Sequence, residues 1–174
     1  LRPMLLEFPD DPASDTLDRQ YMLGASLLVA PVLSFDGVVD YYLPAGRWTH
    51  FLSGDVLEGG RWVRAKYDFL SLPLFVRPNS AIVVGDNDQR PDYDYADGFA
   101  LRIYQLDDGA VAKAIIPAAD GSAAVKFAVS RKGSEVTVDW QGKPKNWRIE
   151  LIGASGSKVV TPEPSAQQLA VSLV

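Results

Sequence analysis

A chain of 174 residues, 47% hydrophobic and 22% charged, can form one large domain or two small ones and is too apolar for disorder. Seventeen Lys and Arg against 22 Asp and Glu leave a formal net charge of −5. With no basic run, that balance argues against a nucleic-acid binder that depends on neutralising phosphates. The chain has no cysteine, so neither a disulfide framework nor a thiolate metal site can form.

The first element expected is a buried strand over Leu1 to Phe8, an apolar run that Pro9-Asp10-Asp11-Pro12 stops. Ser14 or Asp15 can then cap a helix of about two turns, with Leu17 and Tyr21 on one face and Gly24 placed to end it. Ser26 to Leu33 returns as a second apolar run and reads as a strand buried on both faces. The longest apolar stretches, Met22 to Leu33 and Leu70 to Val76, are broken by Gly24, Pro31 and Pro73. They are too short to span a bilayer, and no membrane partner is expected.

After Asp36-Gly37 the pattern becomes short segments alternating with period two, as half-buried strands do. Val39, Tyr41 and Leu43 share a face; so do Leu101 and Ile103; Val125, Phe127 and Val129; and Val136, Val138 and Trp140. Trp147, Ile149 and Leu151 repeat the pattern, and Leu169, Val171 and Leu173 close it. Such strands, with turn signals at Asp107-Asp108-Gly109, Asp120-Gly121 and Arg131-Lys132-Gly133, predict antiparallel sandwiches. The polar, proline-interrupted stretch Gly85 to Gly98 is the expected boundary between two β domains. Thr161-Pro162-Glu163-Pro164 reads as a stiff connection before the last strand, and no internal repeat is visible.

The residues that could carry chemistry are few. His50 is the single histidine; it lacks an assignable nucleophile and orienting partner, so a structural role is favoured. No GxSxG elbow, HExxH or phosphate-cradling glycine loop is present. Asp92, Asp94, Asp97 and Gly98 are similar to a calcium loop in composition, but Ile103 stands where the terminal acid is needed, which favours a solvated loop. Asp10 and Asp11 are adjacent in a proline-bounded turn, whereas glycoside hydrolysis needs carboxyls flanking the scissile bond from opposite sides. Arg61, Arg64 and Lys66 alternate as a solvated face does, although they could grip an anion. Trp48, Trp62, Trp140 and Trp147 suit core packing. Trp62, Tyr93 and Tyr95 are the candidate sugar contacts, since aromatic faces stack on sugar rings while nearby carboxylates accept hydroxyl hydrogen bonds; burial accounts for the two tyrosines equally well. No residue is assigned to catalysis, to a cofactor or to a metal.

Four blocks together resemble the end of a glycoside hydrolase family 31 enzyme. They are RPMLLEFPDDPASDTLDRQYMLGASLLVAPVL (Arg2 to Leu33), YLPAGRWTHFLSGDVLEGGR (Tyr42 to Arg61), LSLPLFVRPNSAIVVG (Leu70 to Gly85) and NDQRPDYDY (Asn87 to Tyr95). The last resembles the bacterial α-xylosidase branch in particular, and beyond Ala100 the similarity is weak. The resemblance implies a mainly β chain: the end of a (β/α)8 barrel over 1–33, a proximal C-terminal antiparallel β-sandwich over 34–98 and a distal one over 99–174. It implies double displacement by an aspartate nucleophile and an aspartate acid/base that both precede Leu1, so the chain alone is predicted inactive. The partners implied are an α-xylosyl oligosaccharide taken through the full enzyme, the catalytic barrel and a homo-oligomeric copy, with no cofactor and a cytoplasmic location. Two alternatives stand beside it: an α-glucosidase of the same family, and a non-catalytic carbohydrate-binding module.

Overall fold

The computed structural model describes residues 1–153, 156–163 and 165–173. Pro164, in the expected stiff connection, lies outside the described residues. The chain divides into two compact units, Leu1–Pro78 and Asn79–Val174.

The first unit holds β1 (Arg2–Pro3), a single helical turn α1 (Met4–Glu7), β2 (Tyr21–Leu23), β3 (Leu27–Val29), β4 (Val38–Leu43), β5 (Arg47–His50), β6 (Val56–Glu58), β7 (Arg61–Lys66) and β8 (Leu74–Val76). Six of its strands form one sheet in the order β1-β2-β3-β8-β5-β6, and β4 and β7 form a separate two-stranded ribbon. Alternation along the ribbon sends Tyr41 and Leu43 inward onto Met22, Leu28, Trp48 and Phe75, which together make the buried core. The Tyr41 and Phe75 rings pack with centroids 5.4 Å apart. Gly59 is required where the chain passes close to itself, because a Cβ there would overlap the Pro44 carbonyl oxygen.

The second unit holds β9 (Ser80–Gly85), β10 (Asp97–Tyr104), β11 (Val111–Pro117), β12 (Ala123–Lys132), β13 (Glu135–Gly142), β14 (Lys145–Gly153), β15 (Gly156–Val160) and β16 (Gln168–Ser172). It is a sandwich of two four-stranded sheets, β15-β14-β10-β9 and β11-β12-β13-β16. Phe99, Leu101, Trp147 and Ile149 of one sheet meet Phe127, Val129, Val138 and Trp140 of the other in a common core. Trp147 is the hub, with ring centroids 5.0 Å from Trp140, 5.2 Å from Phe127 and 5.5 Å from Phe99. Among the described residues β10 and β14 form the one parallel pair. The other pairs are antiparallel, as the alternation foretells.

The expected strand over Leu1 to Phe8 is reduced to two residues. Pro3, extended at φ −65° and ψ 152°, leads into α1, which buries Met4 and leaves Leu5 and Leu6 exposed. Glu7 is then held between Arg2 and Arg77 at 3.0 and 2.8 Å. The expected helix after Ser14 is also absent. Pro12–Thr16 is one 3-10 turn capped by Asp11, whose carboxylate accepts the Ala13 N–H at 3.1 Å. Tyr21 begins a strand, and Gly24 at φ +65° makes the turn between β2 and β3 instead of ending a helix. The expected barrel remnant over 1–33 therefore contributes antiparallel strands that find their partners within the unit, and no part of a parallel barrel is present among the described residues.

The unit boundary falls at Pro78, not in the Gly85 to Gly98 stretch. That stretch connects β9 and β10, antiparallel neighbours in one sheet, so its polar composition marks a solvated loop inside the second unit. Among the described residues no helix is long and apolar enough to cross a membrane.

Candidate functional site

The outer face of the β4–β7 ribbon gathers Asp40, Tyr42, Trp62 and Arg64, because Tyr41, Leu43, Val63 and Ala65 turn inward. Tyr42 lies opposite Trp62, and Asp40 opposite Arg64. The Tyr42 backbone N–H donates at 2.8 Å to the Gln20 side-chain oxygen, and the Gln20 amide nitrogen donates at 2.8 Å to the Tyr42 carbonyl. Both Tyr42 backbone groups therefore point away from β7, so Tyr42 and Trp62 form a non-hydrogen-bonded pair, the closer kind of cross-strand pair. Their rings sit 5.7 Å apart at 58°.

The Tyr42 hydroxyl donates to Asp11 at 2.9 Å. Burial, then the Asp11 carboxylate, raises its pKa, so the phenol stays protonated as a donor. One strand position on, the Arg64 guanidinium donates to Asp40 at 3.1 Å. Trp62 remains 58% exposed, whereas Trp48, Trp140 and Trp147 are buried. The sequence singles out Trp62 and Arg64 but misses Tyr42, Asp40 and Gln20. The alternation that puts Tyr41 inside already places Asp40 and Tyr42 outside; the clamp by Gln20, 22 residues away, leaves no local signal.

Tyr93 and Tyr95 lie in the second unit, in edge-to-face contact with centroids 4.8 Å apart. Tyr95 donates its hydroxyl to the Pro91 carbonyl at 2.7 Å and stays exposed, while Tyr93 lines an open concavity of about 420 Å³ with Asp86, Asp88, Gln89, Asp94 and Asp97. These acids serve the loop. Asp94 accepts the Ala96 N–H at 3.0 Å, Asp97 accepts from Asn146 at 2.7 Å, and Asp86 accepts from Arg148 at 2.7 Å. Asp86 first, and Glu150 second, raise the Arg148 pKa.

His50 is buried beneath Tyr67 and Phe75. Its Nδ1 accepts the Ser53 N–H at 3.1 Å, which assigns the proton to Nε2, lying 3.0 Å from the Leu72 carbonyl oxygen. That arrangement ties two loops together. Asp11 caps a turn and holds Tyr42, and Asp10 is an exposed turn residue. Arg61 donates to the Glu58 carbonyl at 3.0 Å and Arg64 pairs with Asp40, so both arginines of β7 are engaged locally. Among the described residues no three His, Asp or Glu side chains converge as a metal site.

An antiparallel sheet-and-ribbon unit and a sandwich unit define a β-rich region of two compact units. The chain belongs to glycoside hydrolase family 31 and corresponds to C-terminal domains of that family. Residues 1–82 match the glycosyl hydrolase family 31 C-terminal domain, and residues 94–173 match the C-terminal domain of alpha-xylosidase YicI.

Alpha-xylosidase XylQ of Lactiplantibacillus pentosus is 32% identical over 177 aligned residues, covering 100% of this chain and 22% of that protein. Alpha-glucosidase 2 of Bacillus thermoamyloliquefaciens is 36% identical over 87 residues, covering 49% of this chain and 11% of its own length. The chain thus spans about a fifth or less of these relatives. The crystal structure of the family 31 alpha-xylosidase Xac1773 from Xanthomonas citri shares the fold, with a TM-score of 0.70 at 23% identity over 98% of this chain and 20% of that one.

Proposed function

We propose that the chain is the C-terminal part of a retaining α-xylosidase. In this reading the enzyme removes terminal α-xylosyl residues from oligosaccharides by double displacement, with its aspartate nucleophile and acid/base in the portion preceding Leu1. The observation that carries the xyloside assignment is the match of residues 94–173 to an α-xylosidase C-terminal domain. The 32% identity to XylQ across the whole of this chain supports it. The second unit has a self-sufficient core, and its part in catalysis is to brace the barrel and contribute to subunit contacts in a homo-oligomer, while bonds are broken elsewhere. A cytoplasmic location completes the proposal, and fractionation of cells producing the enzyme tests it.

The engagement of Asp11, Asp94 and Asp97 supports placing the chemistry upstream. A carboxylate already accepting from a cap, a tyrosine or an amide is poorly placed to attack a sugar or protonate a leaving group. The second reading, an α-glucosidase, is favoured by the match of half the chain to alpha-glucosidase 2. Comparing kcat/KM of the intact enzyme on aryl α-xyloside and aryl α-glucoside separates the two, and methanolysis with analysis of the anomer tests retention. A glucoside preference would overturn the xyloside assignment, and an inverted methyl glycoside would overturn double displacement.

A further inference from the structure

Trp62 combines exposure with a ring contact to a tyrosine that is itself fixed at three points. We propose that the outer face of the β4–β7 ribbon is a binding surface for a neutral pyranose oligosaccharide, with Trp62 as the stacking ring and the Arg64–Asp40 pair as its polar rim.

Three observations support this assignment. First, Trp62 is 58% exposed and its indole packs at 58° against the Tyr42 ring, with centroids 5.7 Å apart. Tyr42 is itself fixed at both backbone groups by Gln20 and at its hydroxyl by Asp11. The ring that Trp62 packs against is thus fixed before any ligand arrives, which limits the rotamer freedom lost on binding. Second, Arg64 lies two residues along the strand, about 6.6 Å away, on the same face. Its guanidinium and the Asp40 carboxylate sit 3.1 Å apart, both more than half exposed, so donor and acceptor stand side by side as vicinal sugar hydroxyls do. One hydroxyl can donate to Asp40 while its neighbour accepts from Arg64.

Third, Arg64 and Asp40 neutralise each other beside the ring, which fits an uncharged ligand. A polyanion would meet Asp40 and Asp11 beside the ring, and a cationic peptide would meet Arg64 and Lys66. A neutral ring with an apolar C–H face and a rim of hydroxyls matches the whole surface: C–H groups on the indole, hydroxyls on the ion pair. The surface needs no group outside the first unit. In an enzyme acting on oligosaccharides, it would hold a substrate chain away from the reacting bond. Its use by that substrate rests on the glycosidase reading, while the binding itself does not.

The test uses the 174-residue chain titrated with xylotriose and with maltotriose, followed by saturation transfer from protein to ligand protons. Because Trp62 is the exposed tryptophan of the four, its fluorescence should shift to the blue with the same saturation curve. Trp62→Ala should weaken binding about tenfold or more. Trp62→Phe should keep most of it, and Arg64→Ala should weaken it severalfold. Tyr93→Ala, in the other unit, should leave binding unchanged. In the intact enzyme, acrylamide should quench Trp62 as effectively as in the chain.

Equal binding by the Trp62→Ala chain, no saturable binding of either sugar, loss of binding in Tyr93→Ala or shielding of Trp62 from acrylamide in the intact enzyme would each overturn the proposal. None of these outcomes bears on aryl α-xyloside turnover, so failure here is distinguishable from failure of the substrate assignment.

Discussion

Replacing Gln20 with alanine should loosen the ribbon that carries the Trp62 platform. Gln20 is 5% exposed, and its amide satisfies both the N–H and the C=O of Tyr42 at 2.8 Å each. It does for the open edge of β4 what a third strand would do. Truncation removes two hydrogen bonds, each contributing about 1 kcal/mol net, and leaves two backbone groups to be desolvated without a partner at about 1 to 3 kcal/mol each. Tyr42 is half-buried, so water recovers part of this, and the expected loss is about 2 to 4 kcal/mol.

The chain has two units, so a single global transition is a poor readout and local hydrogen exchange is the better one. The β4 and β7 amides should exchange faster by a factor corresponding to that loss, while the β12 and β13 amides keep their rates. Gln20→Glu sharpens the test through its sign. Its carboxylate still accepts the Tyr42 N–H but faces the Tyr42 carbonyl with no proton to donate, which favours the protonated acid. The folded-state pKa is then raised, so the variant is most stable in acid and loses that stability as pH rises through it. A loss under about 0.5 kcal/mol in Gln20→Ala, or equal acceleration in both units, would refute the reasoning.

Three further outcomes follow from the packing and electrostatics. Trp147→Ala, which removes the hub of the four-ring cluster in the second unit, should cost about 3 to 5 kcal/mol by hydrogen exchange of the β12 and β13 amides, against under 1 kcal/mol for an exposed residue such as Lys126. Gly59→Ala forces a methyl group into the Pro44 carbonyl oxygen and should cost about 1 to 3 kcal/mol by hydrogen exchange of the β4 and β7 amides; a neutral result would show that the Pro44 turn can open. The Asp68 carboxyl accepts the Ser71 hydroxyl at 2.8 Å and the Leu70 N–H at 3.0 Å, and these bonds hold its pKa below the ordinary 3.8. Its stabilising effect is present above that ordinary value and fades as pH falls through the lowered one. Carbon-detected NMR titration should show the low midpoint, and Ser71→Ala should move it upward.

The second unit was legible because its strands are long and half-buried. Phe127, Val129, Val138, Trp140, Ile149 and Leu151 alternate cleanly, and each turns inward as the pattern requires. The first unit was harder because its strands are two to six residues long, too short for period two to separate from period 3.6. Leu17 and Tyr21 share helical spacing by accident, and Gly24 fits a hairpin turn as well as a helix end. The Gly85 to Gly98 stretch misled for a related reason: composition reports solvation, and loops within a domain are as solvated as linkers between domains. Of the candidate contacts, Trp62, Tyr93 and Tyr95 could be named from residue type, but the partners that fix Trp62 could not. Asp11 and Gln20 reach Tyr42 across 31 and 22 residues, and only folding makes them neighbours.

The central claim, that this chain supports a glycosidase whose bond-breaking acids lie outside it, is tested most directly by incubating aryl α-xyloside with equal molar amounts of the purified 174-residue chain and of the intact enzyme. The expected result is steady release of the aryl group by the intact enzyme and none above the uncatalysed rate by the chain. Turnover by the chain alone would contradict the claim and return Asp10, Asp11, Asp94 and Asp97 to consideration as catalytic acids.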